Sequence, residues 1–420
     1  MRICFLSRRY FPAVSGMSVY ARNMTRALAE RGHEIVMISQ YRQDERGVGI
    51  YGGGPPPDEP WMQVHGLRSF GEERADAQTP ADFEGDTQAM IEEALRHHQQ
   101  KPFDVVHAQY CYPTGLAALE ISRQLNIPSV VSIQGGDGHW VGLCCTTHWQ
   151  AMQAVLNHAT ALVIGCRSFA DEVVQNHGIP PDRLTIVPGA TNVDQFKPTQ
   201  AIGALRDPSR LLYHGRVDQR KGVLDFVRAG RQLLDAGESV RLIISGIGPD
   251  AEAARRLVSE LEMTEQTDFL GAVPYDEAAR VYAQGDLFIS PTYAEGFSNT
   301  ILEAMASGLP IVSTRTVGVV DCLEDEVNAA LVEPGDVNAL TQATQQMLHD
   351  EAYRVRVAQR AYEEVISRYS WPVVAEQLEG IYQAVRNTEL GHTWQGTYDI
   401  ESTVAEADLS CRFRQDPHLL

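Results

Sequence analysis

The 420-residue sequence lacks any apolar run that approaches the roughly 20 residues needed to span a membrane as a helix. Near its start, the apolar stretch from Ile3 to Leu6 is too short for the core of a secretory signal, and two arginines follow it closely. The seven cysteines are odd in number and have no paired spacing, which favours reduced thiols over a disulfide framework. These absences predict a cytoplasmic protein.

Positive charge is also scarce, because 35 Lys and Arg stand against 55 Asp and Glu, for a formal net charge of −20. Nucleic-acid binding rests on dense positive charge, so we exclude nucleic acid as a partner. A free anionic nucleotide needs only a few local donors. Residues 1–42 run against the trend, since seven arginines against two glutamates leave +5. This basic N-terminal region is either a solvated helix face or a peripheral contact with an anionic acceptor or inner membrane surface.

The length of the chain fits two domains, since a single core stops growing well below 420 residues. Apolar strand-like and helix-like segments alternate from RICFLS to LTIV, and a second alternating series begins at RLLYHG. This alternation predicts an α/β protein with two Rossmann-like, doubly wound parallel-sheet domains facing a cleft. We place them at residues 1–195 and 196–370, followed by a helix over 371–387 that crosses back to the first domain and an acidic tail over 388–420. The polar residues 44–88 are predicted to form a long loop.

Two cations stand where a helix begins in the second series. Gly215 and Arg216 follow the strand RLLYH, and Lys221 precedes the helical pattern GVLDFVRAGRQLL. Fixed cations together with the free N–H groups of a helix start can bind a diphosphate. Exposed basic residues near helix starts are common, however, so this motif alone also fits a solvated surface.

Two glutamates follow the strand LFIS. Glu295 stands in a glycine-containing loop and Glu303 in the helix that this loop enters, so they would hold two parts of one elongated ligand. The N–H groups at the helix mouth are candidates for anion binding. They belong to Gly296, Phe297, Ser298 and Asn299. The alternatives are an exposed loop carboxylate at Glu295 and, at Glu303, a capping box with Thr300 as the N-cap.

These motifs occur in a fixed order along the chain. The order is Gly215-Arg216, Lys221, Gly246 after RLIIS, Phe269-Leu270-Gly271, Glu295-Gly296-Phe297 and Glu303. The pattern resembles the donor-binding domain of glycosyltransferase family 4, also called glycosyl transferases group 1, which has the GT-B fold. The likeness covers roughly residues 1–387.

The resemblance implies a retaining enzyme that takes a sugar from a nucleoside-diphosphate sugar such as a UDP or GDP sugar. The acceptor would be a sugar, a lipid-linked molecule or a small molecule in polysaccharide, glycolipid or other glycoconjugate synthesis, and neither a metal nor a cofactor would be required. A sugar-nucleotide epimerase and a non-catalytic sugar-nucleotide-binding protein of the same fold are the alternatives.

The resemblance also implies roles for the site residues. Arg216 and Lys221 would hold the diphosphate, Glu295 the hydroxyls of the donor sugar, and Glu303 the ribose hydroxyls. The amides after Glu295 would contact the phosphates. Further donor-site candidates are Gly16, Gly215 and Gly246.

The first domain shows the same likeness with several departures. Ser15-Gly16 stands where the family often has two glycines, and Gln109 replaces a second histidine after His107. His107 is the candidate for a titrating catalytic group, and its alternative is a packed, hydrogen-bonded residue at a strand end. Gln134 stands where many relatives have a histidine, and an amide cannot titrate.

The segment after the strand SVVSI is predicted to line the acceptor or sugar side of the site. Its candidates are Gln134, Gly135, Asp137 and Trp140. Just beyond lie Cys144, Cys145 and His148, which raise the alternative of a zinc site. Adjacent cysteines suit tetrahedral zinc poorly, so we predict no metal here and favour an acceptor-pocket loop with Trp140 as an aromatic platform.

Overall fold

The structure is a computed structural model, and it describes residues 1–13, 15–42, 53–69, 83–143, 145–388, 390 and 394–396. The chain divides into two compact units. The first unit comprises Met1–Pro188 and Ala375–Leu420, and the second comprises Gly189–Val374. The divisions therefore fall after residues 188 and 374, whereas the sequence placed them after 195 and 370.

A parallel seven-stranded sheet forms the centre of the first unit, in the order β3-β2-β1-β4-β5-β6-β7. Its strands are β1 (Arg2–Ser7), β2 (Glu34–Tyr41), β3 (Gln63–Arg68), β4 (Val105–Gln109), β5 (Ser129–Ile133), β6 (Ala161–Ile164) and β7 (Leu184–Ile186). Strands β1, β4 and β5 are buried along their whole length. Burial on both faces explains their continuous apolar sequences.

The helices of the first unit connect these strands. They are α1 (Gly16–Glu30), α2 (Phe83–Gln100), α3 (Leu116–Leu125), α4 (Thr146–His158) and α5 (Arg167–His177). Helix α1 begins with a capping box, in which the Ser15 hydroxyl accepts from the Ser18 amide while the Ser18 hydroxyl faces the Ser15 amide. Helix α5 ends at Gly178 with a φ of 68°, a conformation that glycine adopts without steric cost.

The prediction of a long loop over residues 44–88 is wrong for two of its parts. Strand β3 pairs in parallel with β2, and α2 begins at Phe83. Much of β3 is exposed at the edge of the sheet, so its residues are mostly polar and carry little apolar periodicity. Within this stretch, residues 44–52 and 70–82 lie outside the described residues.

The arginines of the basic N-terminal region, residues 1–42, are mostly buried or paired with glutamates. Four of its seven arginines are buried. They are Arg2, Arg8, Arg9 and Arg42. The other three form ion pairs with glutamates: Arg22 with Glu59, Arg26 with Glu30, and Arg31 with Glu379. This neutralisation favours the solvated helix face over a charged contact surface.

The second unit is built around a parallel six-stranded sheet in the order β10-β9-β8-β11-β12-β13. Its strands are β8 (Ser209–His214), β9 (Val240–Ser245), β10 (Thr267–Gly271), β11 (Leu287–Ser290), β12 (Ile311–Thr314) and β13 (Ala330–Val332). Its helices are α6 (Val223–Asp235), α7 (Ala251–Glu260), α8 (Ala278–Tyr282), α9 (Asn299–Ala306), α10 (Val337–His349) and α11 (Glu351–Arg368). Every strand predicted in this series is confirmed.

The core of the second unit holds its central strands against the amphipathic helix α6. Leu211 and Tyr213 of β8, Phe226 of α6, and Leu242 and Ile244 of β9 are all buried in one cluster. Fixing β8 and β9 in this way also fixes the loops that leave their carboxyl ends.

A last helix, α12 (Trp371–Arg386), begins in the second unit and belongs to the first from Ala375 onward. Most of the predicted tail lies outside the described residues, but Trp394 is buried and its indole N–H donates to the Glu120 carboxylate at 3.4 Å. Among the helices of the described ranges, none is both long and apolar enough to cross a membrane. The five cysteines in these ranges are free thiols.

Candidate functional site

The candidate residues of the second unit lie where the direction of the sheet order changes. Strand β8 is flanked by β9 on one side and by β11 on the other, so the connections after β8 and β11 leave in opposite directions. Parallel α/β sheets bind ligands at the carboxyl ends of such a pair of strands. Gly215 and Arg216 follow β8, and the loop with Glu295 follows β11. The fold therefore brings both sequence motifs to one edge.

Arg216 is held in place by its backbone and by its side chain. The Tyr213 hydroxyl donates to the Arg216 carbonyl at 2.7 Å, and the Arg216 Nε atom lies 3.2 Å from Asp218 Oδ2. Burial alone would raise the pKa of Asp218, but the hydrogen bonds from Arg220 and the charges of Arg220 and Arg216 hold it below its usual range. Asp218 is therefore an anion that orients the guanidinium.

Lys221 contacts Glu295 directly. It also contacts the carbonyl of Ala294, which lies 73 residues further along the chain. The Lys221 ammonium lies 2.8 Å from Glu295 Oε2 and 3.0 Å from the Ala294 oxygen. An ammonium has three N–H donors, so these two contacts leave one for a phosphate oxygen. The contact places a cation and a carboxylate side by side at this edge of the sheet.

Two glycines let the strand ends approach closely. A Cβ atom on Gly246, which has a φ of 128°, would lie 1.8 Å from the Gly215 carbonyl oxygen, and one on Gly248 would lie 2.2 Å from the Val217 oxygen. Any side chain at these positions would force the loops after β8 and β9 apart. Gly215 itself is near the start of α9, since a Cβ there would lie 3.8 Å from the Thr300 methyl group.

Glu303 is buried inside α9 and binds Tyr282. The Tyr282 hydroxyl donates to Glu303 Oε2 at 2.6 Å and also lies 3.2 Å from the Thr300 carbonyl oxygen. Burial raises the pKa of Glu303 to about 7, and the hydrogen bond from Tyr282 opposes part of this increase. The carboxyl group therefore changes its charge near neutral pH, which is unusual for a glutamate.

The capping-box alternative for Glu303 is wrong. Helix α9 begins at Asn299 with Ser298 as its N-cap, so Thr300 already lies inside the first turn. With Ser298 as N-cap, the capping-box position is Ile301, so Glu303 lies two residues too far along the helix, and its carboxylate binds a tyrosine from α8 instead. Capping therefore does not explain why Glu303 is buried.

The helix mouth before α9 lies next to the glutamate loop. Gly296 and Ser298 are buried, while the Phe297 ring packs against the Tyr369 ring at a tilt of 50°, with centroids 5.7 Å apart. Gly189 makes room for this ring, because a Cβ there would lie 2.5 Å from Phe297 Cδ1. The Glu295 amide is bound to the Val317 carbonyl at 3.1 Å. The loop thus has fixed contacts on both sides of Glu295.

In the first unit, two side-chain amides meet at the carboxyl edge of the sheet. Gln109 ends β4 and pairs with Ser7 of β1, whose hydroxyl donates to Gln109 Oε1 at 2.8 Å. Gln109 Nε2 in turn donates to Gln134 Oε1 at 2.6 Å. The two glutamines that replace family histidines are therefore hydrogen-bonded to each other. Nearby, a Cβ on Gly16 would meet nothing within 4 Å, so this position is open.

Asp137 anchors the loop that carries Gln134 and Gly135. It is fully buried, and its carboxylate accepts from the amides of Gln134 at 3.1 Å, Gly135 at 2.9 Å and Cys111 at 2.9 Å. Burial raises the pKa of Asp137, while these amides oppose the shift. Its observed contacts are those of a loop anchor, whereas Gln134, Gly135 and Trp140 are partly exposed.

His107 is enclosed on both sides of its ring. It is fully buried, its Nδ1 is hydrogen-bonded to the Tyr382 hydroxyl, and its Nε2 lies 2.7 Å from Ser132 Oγ. Burial lowers the pKa of His107 to about 3, so the ring is neutral at physiological pH. These contacts favour the packed alternative over a group that titrates near neutrality.

The segment considered for zinc is described only in part, since Cys144 lies outside the described residues. Cys145 Sγ lies 3.2 Å from His148 Nδ1, and His148 is buried against Tyr112. This pair alone offers two ligand atoms, fewer than a zinc site uses.

Two residues of the site escaped the sequence analysis. Asp218 has a visible signal, because it stands two residues after Arg216 and caps the turn Gln219–Lys221. Tyr282 has none, since it ends the short helix α8 and meets Glu303 only through the tertiary fold.

Comparison with known proteins decides the family. The family model described as "Glycosyl transferases group 1" matches residues 208–350, and the one described as "Glycosyl transferase 4-like domain" matches residues 15–190. The chain is a group 1 glycosyltransferase. This glycosyltransferase is 24% identical to the D-inositol 3-phosphate glycosyltransferase of Corynebacterium diphtheriae, with 91% of this chain and 94% of the relative covered. It is 25% identical to the glycogen synthase of Mycobacterium tuberculosis, with 93% and 96% covered.

Similarity to solved structures shows that this glycosyltransferase has the GT-B fold. Sucrose-phosphate synthase from Thermosynechococcus elongatus matches with a TM-score of 0.73 at 22% identity, covering 91% of this chain and 98% of its own. Anabaena HepE, in complex with UDP and glucose, matches with a TM-score of 0.68 at 15% identity, covering 91% and 100%. The predicted fold class is confirmed.

Proposed function

We propose that this enzyme is a retaining, metal-independent glycosyltransferase that takes a hexosyl group from a nucleoside-diphosphate sugar. One observation carries the proposal: the loops after β8 and β11 bring together two cations, a partly exposed carboxylate and a buried carboxyl group. A sugar nucleotide has a matching sequence of groups, namely sugar hydroxyls, a diphosphate and a ribose. The UDP-bound relative HepE supports a nucleotide as the ligand.

Each side chain then has a chemical role. Arg216 and Lys221 stabilise the negative charge that grows on the diphosphate as its bond to the sugar breaks. Glu295 accepts hydrogen bonds from sugar hydroxyls, and Glu303, when ionised, accepts them from the ribose. Tyr282 keeps the Glu303 carboxyl oriented toward one side.

The proton balance requires no side-chain base. The bond from the sugar C1 to the phosphate oxygen breaks while the acceptor oxygen bonds to C1 from the same face, and the acceptor proton passes to the departing phosphate oxygen. This route agrees with a neutral His107 and with Gln134, neither of which exchanges a proton near pH 7. The acceptor would be a sugar, lipid-linked or small-molecule hydroxyl, and the enzyme would work in the cytoplasm in polysaccharide, glycolipid or other glycoconjugate synthesis.

A two-stage experiment tests this function. First, UDP, GDP, ADP and dTDP sugars are compared by thermal shift, because a ligand of the folded state raises its melting temperature. Second, the best donor is incubated with an acceptor panel, with and without EDTA, and the anomeric configuration of the product is read by NMR.

We expect turnover that EDTA does not abolish and a product with the donor's anomeric configuration. An inverted product would overturn the retaining mechanism, and loss of turnover in EDTA while the protein remains folded would overturn metal independence. Interconversion of the donor without acceptor would indicate an epimerase. Donor binding with no turnover across the panel would indicate a sugar-nucleotide-binding protein.

A further inference from the structure

A second cluster of ligating side chains lies in the first unit, between the edge strand β3 and helix α2. His65 comes from β3, and Glu93 and His97 stand four residues apart on α2, so they share one face of the helix. One ligand atom from each residue lies within 4.8 Å of the other two. Strands β2 and β1 separate β3 from β4, which carries His107 and Gln109. The cluster is therefore separate from the candidate site residues on β4, His107 and Gln109.

The distances within the cluster suit a tetrahedral metal. Glu93 Oε1 lies 3.0 Å from His97 Nε2 and 3.5 Å from His65 Nδ1. Zinc bonds to nitrogen and carboxylate oxygen of about 2.0–2.2 Å give a tetrahedral edge of about 3.4 Å between ligand atoms. The two measured edges lie on either side of that value. The third edge, between the two histidine nitrogens, is at most 4.8 Å, so side-chain rotation would have to bring these two nitrogens onto one ion.

The two histidines lie against each other beside Glu93. Their rings are in contact, with centroids 4.0 Å apart, and His97 is only 4% exposed. The nitrogens nearest Glu93 are His65 Nδ1 and His97 Nε2, so both imidazoles present a nitrogen to the same carboxylate oxygen.

Arg96 is the competing cation at this position. Its Nε donates to Glu93 Oε2 at 3.0 Å, and its Nη2 contacts Glu93 Oε1 and lies 3.2 Å from His97 Nε2. Its side chain is 52% exposed, and such an ion pair contributes little stability. An incoming dication can therefore displace the guanidinium into solvent at small cost.

We propose that His65, Glu93 and His97 bind one divalent transition-metal ion, with zinc as the best match, and so join the edge strand β3 to α2. Two imidazoles and one carboxylate are ligands that zinc accepts, with a water molecule in the fourth position. The role is structural and does not depend on the proposed glycosyl transfer. Metal-independent transfer and a metal ion at this cluster are compatible.

The test uses the full chain after removal of metals by a chelator. Calorimetric titration with Zn²⁺ should show one binding event per chain, and Co²⁺ should give the visible absorption of tetrahedral coordination. His65→Gln and His97→Gln should each lower the Zn²⁺ affinity at least about tenfold, as loss of one of three ligands requires. Zn²⁺ should raise the melting temperature of the wild type but not of these variants.

Matched controls separate this site from others. His349→Gln removes an exposed histidine that is paired with Glu238, and Cys145→Ser removes a thiol beside His148; both should leave Zn²⁺ binding unchanged. Arg96→Gln should strengthen Zn²⁺ binding, because it removes the competing cation. This last variant keeps all three ligands, so it tests the site even if a histidine variant misfolds.

No binding by the wild type would overturn the proposal. So would binding that survives both histidine substitutions, or binding that Cys145→Ser abolishes. Weaker binding in Arg96→Gln would also contradict it. None of these outcomes bears on donor binding or turnover.

Discussion

The two units share one strand order but differ in what stands at its turning point. In each sheet the first strand of the unit lies between the second and the fourth, as β1 lies between β2 and β4, and β8 between β9 and β11. The first unit places hydrogen-bonded amides there, with Gln109 bonded to Ser7 and Gln134, and its arginines after β1, Arg8 and Arg9, are buried. The second places charged groups there, with Lys221 against Glu295. The same scaffold therefore supports different chemistry through its loops.

The largest expected effect comes from removing a cation of the second unit. Arg216→Ala or Lys221→Ala should lower kcat/KM by about 10² or more, as loss of a group that stabilises transition-state charge does. Steady-state kinetics with the donor found by screening measure it. Arg228→Ala is the matched control, since Arg228 is a half-exposed cation of α6 paired with Asp225 and contacts none of these site residues, and it should change the rate less than about threefold. Equal losses of kcat/KM in all three variants would show that the two candidate cations contribute no more to turnover than an exposed arginine does.

The next effect concerns the pH dependence at Glu303. The raised pKa of about 7 means that its carboxyl becomes an acceptor only as pH rises through neutrality. Affinity for a sugar nucleotide should therefore rise about tenfold between pH 6 and pH 8 in the wild type, and Glu303→Gln should flatten the profile. The neighbouring Tyr282 and His214 stay neutral over this range, because burial raises the pKa of the tyrosine and lowers that of the histidine to about 4.

The same shift has a consequence for stability, with a definite sign. The folded protein holds the Glu303 proton up to about pH 7, while an unfolded glutamate releases it near its usual value of 4.5. Stability from this group is thus intact below pH 4.5 and decreases as pH rises toward 7. Glu303→Gln should melt higher than wild type at pH 8, and the difference should shrink at pH 5. Glu260→Gln, an exposed control, should show neither change. A wild-type profile that is flat from pH 5 to 8 would contradict the assignment.

A smaller effect is expected in the first unit. Gln134→Ala removes the acceptor of the Gln109 hydrogen bond and should lower kcat/KM less than about tenfold, since one neutral hydrogen bond contributes about 1 kcal/mol. Gln134→His should add an ionisation to the rate profile that the wild type lacks. If Gln134→Ala costs as much as Lys221→Ala, the first unit carries more of the chemistry than its neutral groups indicate.

The smallest effect on the pH profile is expected at His107. Because the ring is already neutral, any acidic limb near pH 6 to 7 should survive His107→Gln, while loss of buried hydrogen bonds should cost about 1–3 kcal/mol of stability. Rate profiles and thermal melting of the two proteins measure these effects. A limb that disappears in the variant would instead make His107 the titrating group.

Much of the fold follows from the sequence because buried parallel strands have strong apolar patterns. The strands RLLYH, RLIIS and LFIS were predicted and lie where expected. Strand β3 was missed, since an exposed edge strand lacks that pattern. The motif residues Arg216, Lys221 and Glu295 were also found in advance, although the ion pair between the last two needed the structure.

The burial and the contacts of individual side chains were harder to predict from the sequence than their positions at strand or helix ends. Nothing local in the sequence shows that Arg2 and Arg8 are buried, that His107 is enclosed by a tyrosine 275 residues away, or that Tyr282 binds Glu303. These properties arise from contacts between distant segments. They decide charge and protonation, which a motif alone does not specify.

The central claim, that the charged loops of the second unit form the donor site, is tested most directly by calorimetric titration of the sugar nucleotide. Wild type, Arg216→Ala and Arg228→Ala are compared at one pH and salt concentration. We predict that Arg216→Ala binds at least about tenfold more weakly while Arg228→Ala, which removes a cation paired with Asp225, binds like the wild type. An Arg216→Ala variant that melts normally and binds the donor with wild-type affinity would contradict the account.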